Sequence, residues 1–213
     1  MVGERQFWCG HLMGHDVVAV LSGIGKVAAS ITATTLITRF GVDRLIFTGV
    51  AGGLGDGVRV GDVVVATELL QHDLDASPLF PRFEIPGRGI SRISTNTTLS
   101  HVLSQAAHDC LKDAARVHQG LIVSGDRFVS SLAEVRALRQ ALPDALAVEM
   151  EGAAMAQVCH DLGVPLAVVR TISDRADDAA HVDFSRFLRC FIASAVGCCC
   201  SSAMAYLFDS AGR

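Results

Sequence analysis

The sequence is poor in charge, and its charges are scattered rather than clustered. Only 19% of its 213 residues are charged, and the formal net charge is −4. Proteins that bind nucleic acid usually carry a basic patch, and this sequence has none. The glycine-rich stretch TGVAGGLGDG, residues 48–57, lacks the GxGxxG spacing of a dinucleotide site. In SGIGKVAAS, residues 22–30, too few residues separate the glycines and Val27 follows Lys26, which excludes a P-loop, although a glycine turn before a helix can still line a pocket.

Zinc-binding and disulfide patterns are absent too. The seven cysteines include no CxxC pair, and three of them are adjacent at residues 198–200. This arrangement fits neither a disulfide framework nor a zinc site. We interpret the cysteines as reduced thiols that are buried as small hydrophobic side chains, which predicts a cytoplasmic protein.

The sequence also shows no signal peptide, and its one candidate for a membrane-spanning segment is a weak one. The N-terminal stretch MVGERQFWCG lacks the apolar core of a signal peptide. Residues 190–208 carry no charge and are nearly long enough to cross a bilayer. They are rich in Ala, Ser, Gly and Cys, however, so we expect a buried terminal helix there.

What the sequence does have is apolar residues, at 50%, together with 20 glycines. Short apolar runs alternate with longer amphipathic ones, which is typical of an α/β protein whose strands are covered on both faces. We predict a single domain over residues 1–213 with a three-layer α/β/α architecture and a central mixed, largely parallel sheet. The predicted strands are residues 16–21, 44–48, 62–67, 117–123, 145–150 and 165–171. The predicted helices are residues 25–40, 96–113, 132–141, 151–162 and 184–207, and the one long loop is 72–95.

Polar residues follow three of the predicted strands. They are the glycines at 49–57, the pair Glu149 and Glu151, and the pair Ser173 and Asp174. In open α/β sheets the ligand crevice lies outside the carboxyl ends of the strands. A buried, unpaired carboxylate costs several kcal/mol, roughly, so two carboxylates within the apolar stretch LAVEMEGAAMAQVCH indicate that at least one has a function.

Individual residues leave alternatives open. Asp174 either caps a turn or, if it is buried enough to hold a proton, acts as a general acid. Phe128, in the loop SGDRFV, is either a core residue or stacks on a flat ligand. The glycines at 49–57 either let backbone N–H groups approach a ligand or form a plain tight connection.

Taken together, five stretches resemble the nucleoside phosphorylase superfamily and, within it, the 5′-methylthioadenosine/S-adenosylhomocysteine nucleosidases. They are SGIGKVAA, TGVAGGL, GLIVSGDRFV, VEMEGAAMAQVCH and VVRTISDRAD, and the resemblance runs from about Phe7 to Phe208. It implies hydrolysis of an adenine–ribose N-glycosidic bond in a small-molecule nucleoside, without a metal or organic cofactor, by a homodimer that serves methionine salvage. A loop around Leu79 would reach into the pocket of the neighbouring subunit.

The resemblance also implies residue roles. Asp174 would protonate the leaving base at purine N7, and Ser173 would orient its carboxylate. The Glu151 carboxylate would accept hydrogen bonds from the 2′ and 3′ hydroxyls of the ribose. Phe128 would stack on the adenine, and the backbone of Val129 would read its edge. The other implied substrate contacts are Ile24, Gly52, Met150, Phe184 and Arg170, with Arg170 near the water site.

Two departures from the family pattern affect what we expect. Val50 stands where the family commonly has Ser or Thr. The chain also starts after the family's first strand and glutamate-rich turn, and Glu4 does not lie in that motif, so we assign no general base and expect a poor hydrolase. The alternatives are a purine nucleoside phosphorylase, a futalosine hydrolase-like enzyme, or a catalytically impaired nucleoside-binding module.

Overall fold

A computed structural model describes residues 3–12, 14–111 and 115–176. The predicted helix at 184–207, the apolar segment 190–208 and the implied contact Phe184 lie outside these described residues. Among the described residues, no helix has the length and apolar character needed to cross a membrane.

The described part of the chain forms eight strands and four helices, most of them close to the predicted bounds. The strands are β1 Phe7–Leu12, β2 His15–Val20, β3 Leu45–Gly53, β4 Val63–Gln71, β5 Arg92–Ser94, β6 Val117–Ser124, β7 Ala145–Glu149 and β8 Leu166–Asp174. The helices are α1 Lys26–Phe40, α2 Thr97–Leu111, α3 Leu132–Ala141 and α4 Gly152–Leu162. The sequence did not predict β1 or β5.

Six of these strands form one mixed sheet in the order β5-β4-β6-β7-β3-β8. The ladders β3–β8, β4–β6 and β6–β7 are parallel, whereas the shorter ladders β3–β7, β4–β5 and β4–β8 are antiparallel. Because β8 also pairs with β4, the sheet curls back on itself. Strands β1 and β2 form a separate antiparallel hairpin. The predicted mixed, largely parallel sheet is confirmed.

Helices cover both faces of this sheet. Val64, Ile122 and Val168 pack in the core cluster that contains α1 and α4. The alternate residues on the same strands turn the other way, so that Val63 and Ala167 pack with α2. Side chains that alternate between two buried faces produce the near-continuous apolar runs seen in the sequence. The three-layer architecture follows from this arrangement.

Local capping fixes one end of each of two helices. The hydroxyl of Ser131 accepts the backbone N–H of Glu134 at the start of α3, and it donates to the Glu134 carboxylate over 2.8 Å. Gly163 ends α4 in the left-handed conformation, with φ of 68°. Glycine has no side chain to oppose that conformation, which explains the abrupt stop.

The strands extend further than their apolar runs. The glycines at 49–53 continue β3, and Ser173 and Asp174 are the last residues of β8 rather than residues that follow it. Gly49 pairs with Arg170 and Gly52 with Asp174 in the parallel β3–β8 ladder. A Cβ at Gly49 would lie 2.7 Å from Nη1 of Arg170, and one at Gly52 would lie 3.0 Å from the Asp174 carboxylate. These two glycines therefore make room for the polar side chains of β8.

The described cysteines match the expectation only in part. Cys9 and Cys159 are free thiols. Cys159 is buried against the sheet, and that burial raises the pKa of its thiol to about 12. Cys9, by contrast, is exposed, because β1 belongs to the outlying hairpin rather than to the central sheet.

Candidate active site

A cavity of about 490 Å³ opens at the carboxyl ends of β3, β7 and β8. This volume lies within the range of small-molecule sites. Residues from the turn before α1 and from the loop after β6 complete its wall. The cavity is lined by Ser22, Gly23, Ile24, Phe47, Thr48, Gly49, Val50, Ala51, Gly52, Arg127, Phe128, Val129, Val148, Glu149, Met150, Glu151, Arg170, Ser173 and Asp174.

The structure brings the sequence-predicted site residues together in this one cavity. Those in the described part of the chain that line it are Ile24, Gly52, Phe128, Val129, Met150, Glu151, Arg170, Ser173 and Asp174. Phe128 is 40% exposed and lies in the cavity wall rather than in the core. The glycine turn at 22–25 lines a pocket although it is not a P-loop. Glu4 is not among the lining residues.

Glu149 is buried and surrounded by hydrogen-bond donors. Its carboxylate accepts the Ser124 hydroxyl and the backbone N–H groups of Glu151 and Gly152, over 2.9–3.1 Å for the N–H groups. It also pairs with Nη2 of Arg170 over 2.6 Å. Since the first N–H groups of a helix have no partners within the helix, Glu149 caps α4 from within the strand that leads to it. Its function is therefore to join β6, β8 and the start of α4.

Glu151 has fewer partners. Its Oε1 accepts the backbone N–H of Gly25 over 2.8 Å, and the side chain otherwise faces the cavity. Burial raises the pKa of Glu151, and the nearby charge of Glu149 raises it further, whereas the Gly25 amide, Arg170 and the Met150 amide oppose the shift. An incompletely satisfied carboxylate at a cavity wall can bind hydroxyl donors of a ligand.

Asp174 is 2% exposed, and its two oxygens are held separately. The hydroxyl of Ser173 donates to Oδ2 over 2.8 Å, while the backbone N–H of Ala176 donates to Oδ1 over 2.7 Å. Ser173 also donates to the carbonyl of Ala51 over 3.3 Å. These contacts fix the orientation of the Asp174 carboxyl at the cavity wall.

Comparison with known proteins identifies the family. The family model described as the phosphorylase superfamily matches residues 2–200. A 5′-methylthioadenosine/S-adenosylhomocysteine nucleosidase of Anoxybacillus flavithermus is 40% identical over 189 residues, which cover 88% of this chain and 80% of the relative. This chain belongs to the 5′-methylthioadenosine/S-adenosylhomocysteine nucleosidase family.

Solved structures of this nucleosidase family share the fold. The nucleosidase of Neisseria meningitidis in complex with methylthio-immucillin-A has a TM-score of 0.86 and 39% identity, covering 97% of this chain and 85% of that one. The futalosine hydrolase of Helicobacter pylori strain 26695 is also similar, with a TM-score of 0.83, 35% identity and coverage of 97% and 84%. The fold is therefore shared by hydrolases with differently named substrates.

Arg170 is the most deeply buried cation of the nucleosidase cavity, at 1% exposed. Its guanidinium lies over the ring of Phe47, with 4.0 Å between Cζ and the ring centroid. Nη2 binds Glu149, but Nε and Nη1 have no hydrogen-bond partner among the described residues. Buried guanidinium groups are rarely left unpaired, so these two nitrogens are candidates for a further hydrogen-bond partner.

Sequence reasoning missed several residues that shape the site. Gly25 contacts Glu151, Phe47 supports Arg170, and Asp126 accepts the N–H of Lys26 at the start of α1. These partners lie far apart along the chain, and no local spacing signals them. Within the described ranges, no group of three or more His, Cys, Asp or Glu side chains is arranged to hold a metal ion.

Proposed function

We propose that the protein hydrolyses the N-glycosidic bond of 5′-methylthioadenosine and S-adenosylhomocysteine, releasing adenine and the thioribose product. The observation that carries the proposal is one cavity into which a fixed, buried Asp174 and an incompletely paired Glu151 both open. Cleavage of a glycosidic bond needs an acid for the leaving group and negative charge near the sugar.

Asp174 is the proposed acid. Proton transfer to N7 of adenine converts the base into a neutral leaving group, so the C–N bond breaks with less charge build-up. The Ser173 hydroxyl and the Ala176 amide hold the carboxyl in one orientation, which supports transfer to a base bound in the cavity. Phe128 would stack on the adenine, and the Val129 backbone would read its edge.

Glu151 is the proposed ribose ligand. The Gly25 amide occupies one of its oxygens, which leaves acceptor capacity for the 2′ and 3′ hydroxyls. The transition state of glycoside hydrolysis resembles an oxocarbenium ion, and an ionised Glu151 would stabilise its positive charge. Arg170, with Nη1 and Nε unpaired, would orient the attacking water molecule. Ile24, Gly52 and Met150 would complete the substrate contacts.

Product analysis tests this function. Purified protein is incubated with 5′-methylthioadenosine, with and without inorganic phosphate, and the products are separated. We expect adenine and free methylthioribose in both reactions. Formation of methylthioribose 1-phosphate would instead identify a phosphorylase. Binding of methylthio-immucillin-A without turnover of any substrate would indicate an impaired nucleoside-binding module.

Futalosine needs a separate assay because the Helicobacter pylori futalosine hydrolase shares the fold at 35% identity. Futalosine is assayed beside 5′-methylthioadenosine and S-adenosylhomocysteine at equal concentration. We expect the two thio-nucleosides to be the better substrates by kcat/KM. Turnover of futalosine without turnover of either thio-nucleoside would contradict the proposed substrate.

We propose further that the protein is a cytoplasmic homodimer that serves methionine salvage. Exposed apolar side chains support association: Val27 and Ile31 lie one turn apart on α1, and Leu79 is 83% exposed in the long loop. Free thiols, including the exposed Cys9, are typical of a reducing compartment. Light scattering on Ile31→Asp should show a monomer, whereas the control Leu162→Asp, at an exposed leucine on α4, should stay dimeric. A monomeric wild-type protein would contradict the proposal.

A further inference from the structure

Three residues outside the cavity lining form a closed ring of hydrogen bonds beside it. Nζ of Lys26 donates to Oδ1 of Asp73 over 2.7 Å, and Oδ2 of Asp73 accepts the backbone N–H of Asp126 over 2.8 Å. Oδ1 of Asp126 in turn accepts the backbone N–H of Lys26 over 2.7 Å. The ring therefore joins the first residue of α1 to the segments that follow β4 and β6.

This ring replaces a local cap at the start of α1. Gly25 precedes the helix and offers no side chain to cap it. Its φ of 91° favours glycine, and a Cβ there would lie 3.0 Å from Oδ1 of Asp126. The first N–H groups of a helix need acceptors from elsewhere. Glu151 and Asp126 supply acceptors for the N–H groups of Gly25 and Lys26, so other segments help to hold the start of α1.

The ring is attached directly to the proposed ribose carboxylate. Gly25, the residue before Lys26, donates its N–H to Oε1 of Glu151 over 2.8 Å. Displacement of Lys26 from Asp73 or from Asp126 would therefore lengthen the contact between Gly25 and Glu151. The side chains of Lys26 and Asp73 are 19% and 30% exposed, and the charge-assisted hydrogen bond between them is stronger than a neutral one.

We propose that Asp73 is a positioning residue: through Lys26 and Asp126 it holds the Gly25 amide against Glu151. The inference rests on the proposed function, because that function assigns Glu151 to the ribose. Burial alone would raise the pKa of Asp73, but the hydrogen bonds from Lys26 and the Asp126 amide lower it overall, so Asp73 stays charged at neutral pH. A misplacement of about 1 Å at a binding group can cost about 100-fold in rate.

Two substitutions that remove charges of opposite sign distinguish a positioning role from a direct electrostatic effect on Glu151. Asp73→Asn and Lys26→Met each open the ring, so both should lower kcat/KM for 5′-methylthioadenosine, by about tenfold. The matched control is Asp43→Asn, which removes an aspartate paired with Arg44 at the surface and should change kcat/KM less than twofold, roughly. The double variant should lose no more than the worse single variant, because either change alone opens the ring.

The pH profile provides a readout that a purely structural role would not move. Glu151 is faced by the Gly25 amide before α1, by Glu149 from β7 and by Arg170 from β8. Loss of the amide contact destabilises the ionised form of Glu151, so both ring variants should move the acidic limb of kcat/KM to higher pH. A direct electrostatic effect on Glu151 would move the acidic limb of kcat/KM in opposite directions for the two variants. Opposite shifts, or a loss of kcat alone with an unmoved limb, would overturn the proposal.

Amide hydrogen exchange keeps this test independent of the proposed function. If the wild-type protein fails to turn over any nucleoside, the function is wrong, yet the exchange rate of the Gly25 amide still reports on the ring. We expect faster exchange at Gly25 in Asp73→Asn and Lys26→Met than in Asp43→Asn. Equal protection in all three variants would overturn the ring even if the enzyme is active.

Discussion

Two regions of the molecule bury carboxylates at the ends of strands, and they treat them differently. Next to β4, Asp62 accepts the backbone N–H groups of Arg59 and Arg116 and contacts the His118 ring over 2.9 Å. Although burial opposes the shift, these donors lower the pKa of Asp62. In the cavity, Glu151 accepts the Gly25 N–H over 2.8 Å, and burial raises its pKa.

The difference shows that burial of a carboxylate does not by itself indicate function. A carboxylate saturated by protein donors holds the fold together, whereas one left with free acceptor capacity at a cavity can bind a ligand. Glu149 belongs to the first class although it lies two residues from Glu151. This contrast explains why one short apolar segment contains two acidic residues.

The largest expected effect belongs to the cavity. Asp174→Asn keeps the shape of the side chain but removes the proton donor, so kcat for 5′-methylthioadenosine should fall by at least ~10²-fold. The melting temperature should change by only a few degrees, roughly, because Asn still accepts the Ala176 N–H. Turnover and thermal melting check both parts, and near-normal kcat would exclude Asp174 as the acid.

Glu151→Gln should have the next largest effect. It removes the charge but little volume, and a hydrogen bond to a charged group is worth about 10- to 100-fold in kcat/KM. Because an oxocarbenium-like transition state gains more from the charge than the substrate does, kcat should fall as well as KM rise.

A 2′,3′-dideoxy substrate provides the control for this substitution. It should lose little further activity on Glu151→Gln, since the contact is already broken. Losses that multiply fully would show that Glu151 does not touch the hydroxyls.

For Asp62, whose carboxylate is saturated by protein donors, we expect the opposite result: a loss of stability rather than of turnover. Asp62→Asn leaves at least one backbone donor unpaired, so the free energy of unfolding should fall by about 1–3 kcal/mol. Its lowered pKa means that this stabilisation is present above the unfolded value of 3.8 and is lost as the pH falls through the folded pKa. Denaturant unfolding and the kcat of the folded variant check the prediction. A loss of kcat without a loss of stability would show that Asp62 acts in catalysis rather than in the fold.

The smallest expected effect is a displaced pH limb. In its proposed role the ionised Glu151 carboxylate accepts both ribose hydroxyls, and the pKa of Glu151 is raised above the ordinary value of 4.5. Activity should therefore decline on acidification at a higher pH than an unperturbed glutamate would give. The acidic limb of kcat/KM in the wild-type protein should be absent or displaced in Glu151→Gln, and an identical limb in both would assign it to another group.

Much of the fold could be predicted because its strands are buried on both faces. That burial produces apolar runs long enough to recognise, as in β4 and β8. Strand β1 escaped detection because most of its side chains are exposed in the outlying hairpin, and β5 because it has only 3 residues. The end of β3 was missed because its glycines suit a turn, whereas here they accommodate side chains of the neighbouring strand.

The candidate site, too, could be predicted only in part. Motifs revealed the lining residues Glu151, Ser173 and Asp174, because each lies beside a recognisable apolar strand. The partners of those motifs could not be predicted, since the Glu149–Arg170 pair and the Lys26–Asp73–Asp126 ring join residues that are distant in sequence. An isolated charge in a sequence is most often a solvated one, and only the folded chain shows which charges meet.

The central claim, that Asp174 supplies the proton to the leaving base, is tested most directly by changing the leaving group. The wild-type protein and Asp174→Asn are compared on 5′-methylthioadenosine and on 4-nitrophenyl 5-methylthioribofuranoside, whose nitrophenolate departs without a proton. We predict a loss of at least ~10²-fold on the nucleoside and of less than about threefold on the nitrophenyl substrate. An equal loss on both substrates would contradict the account.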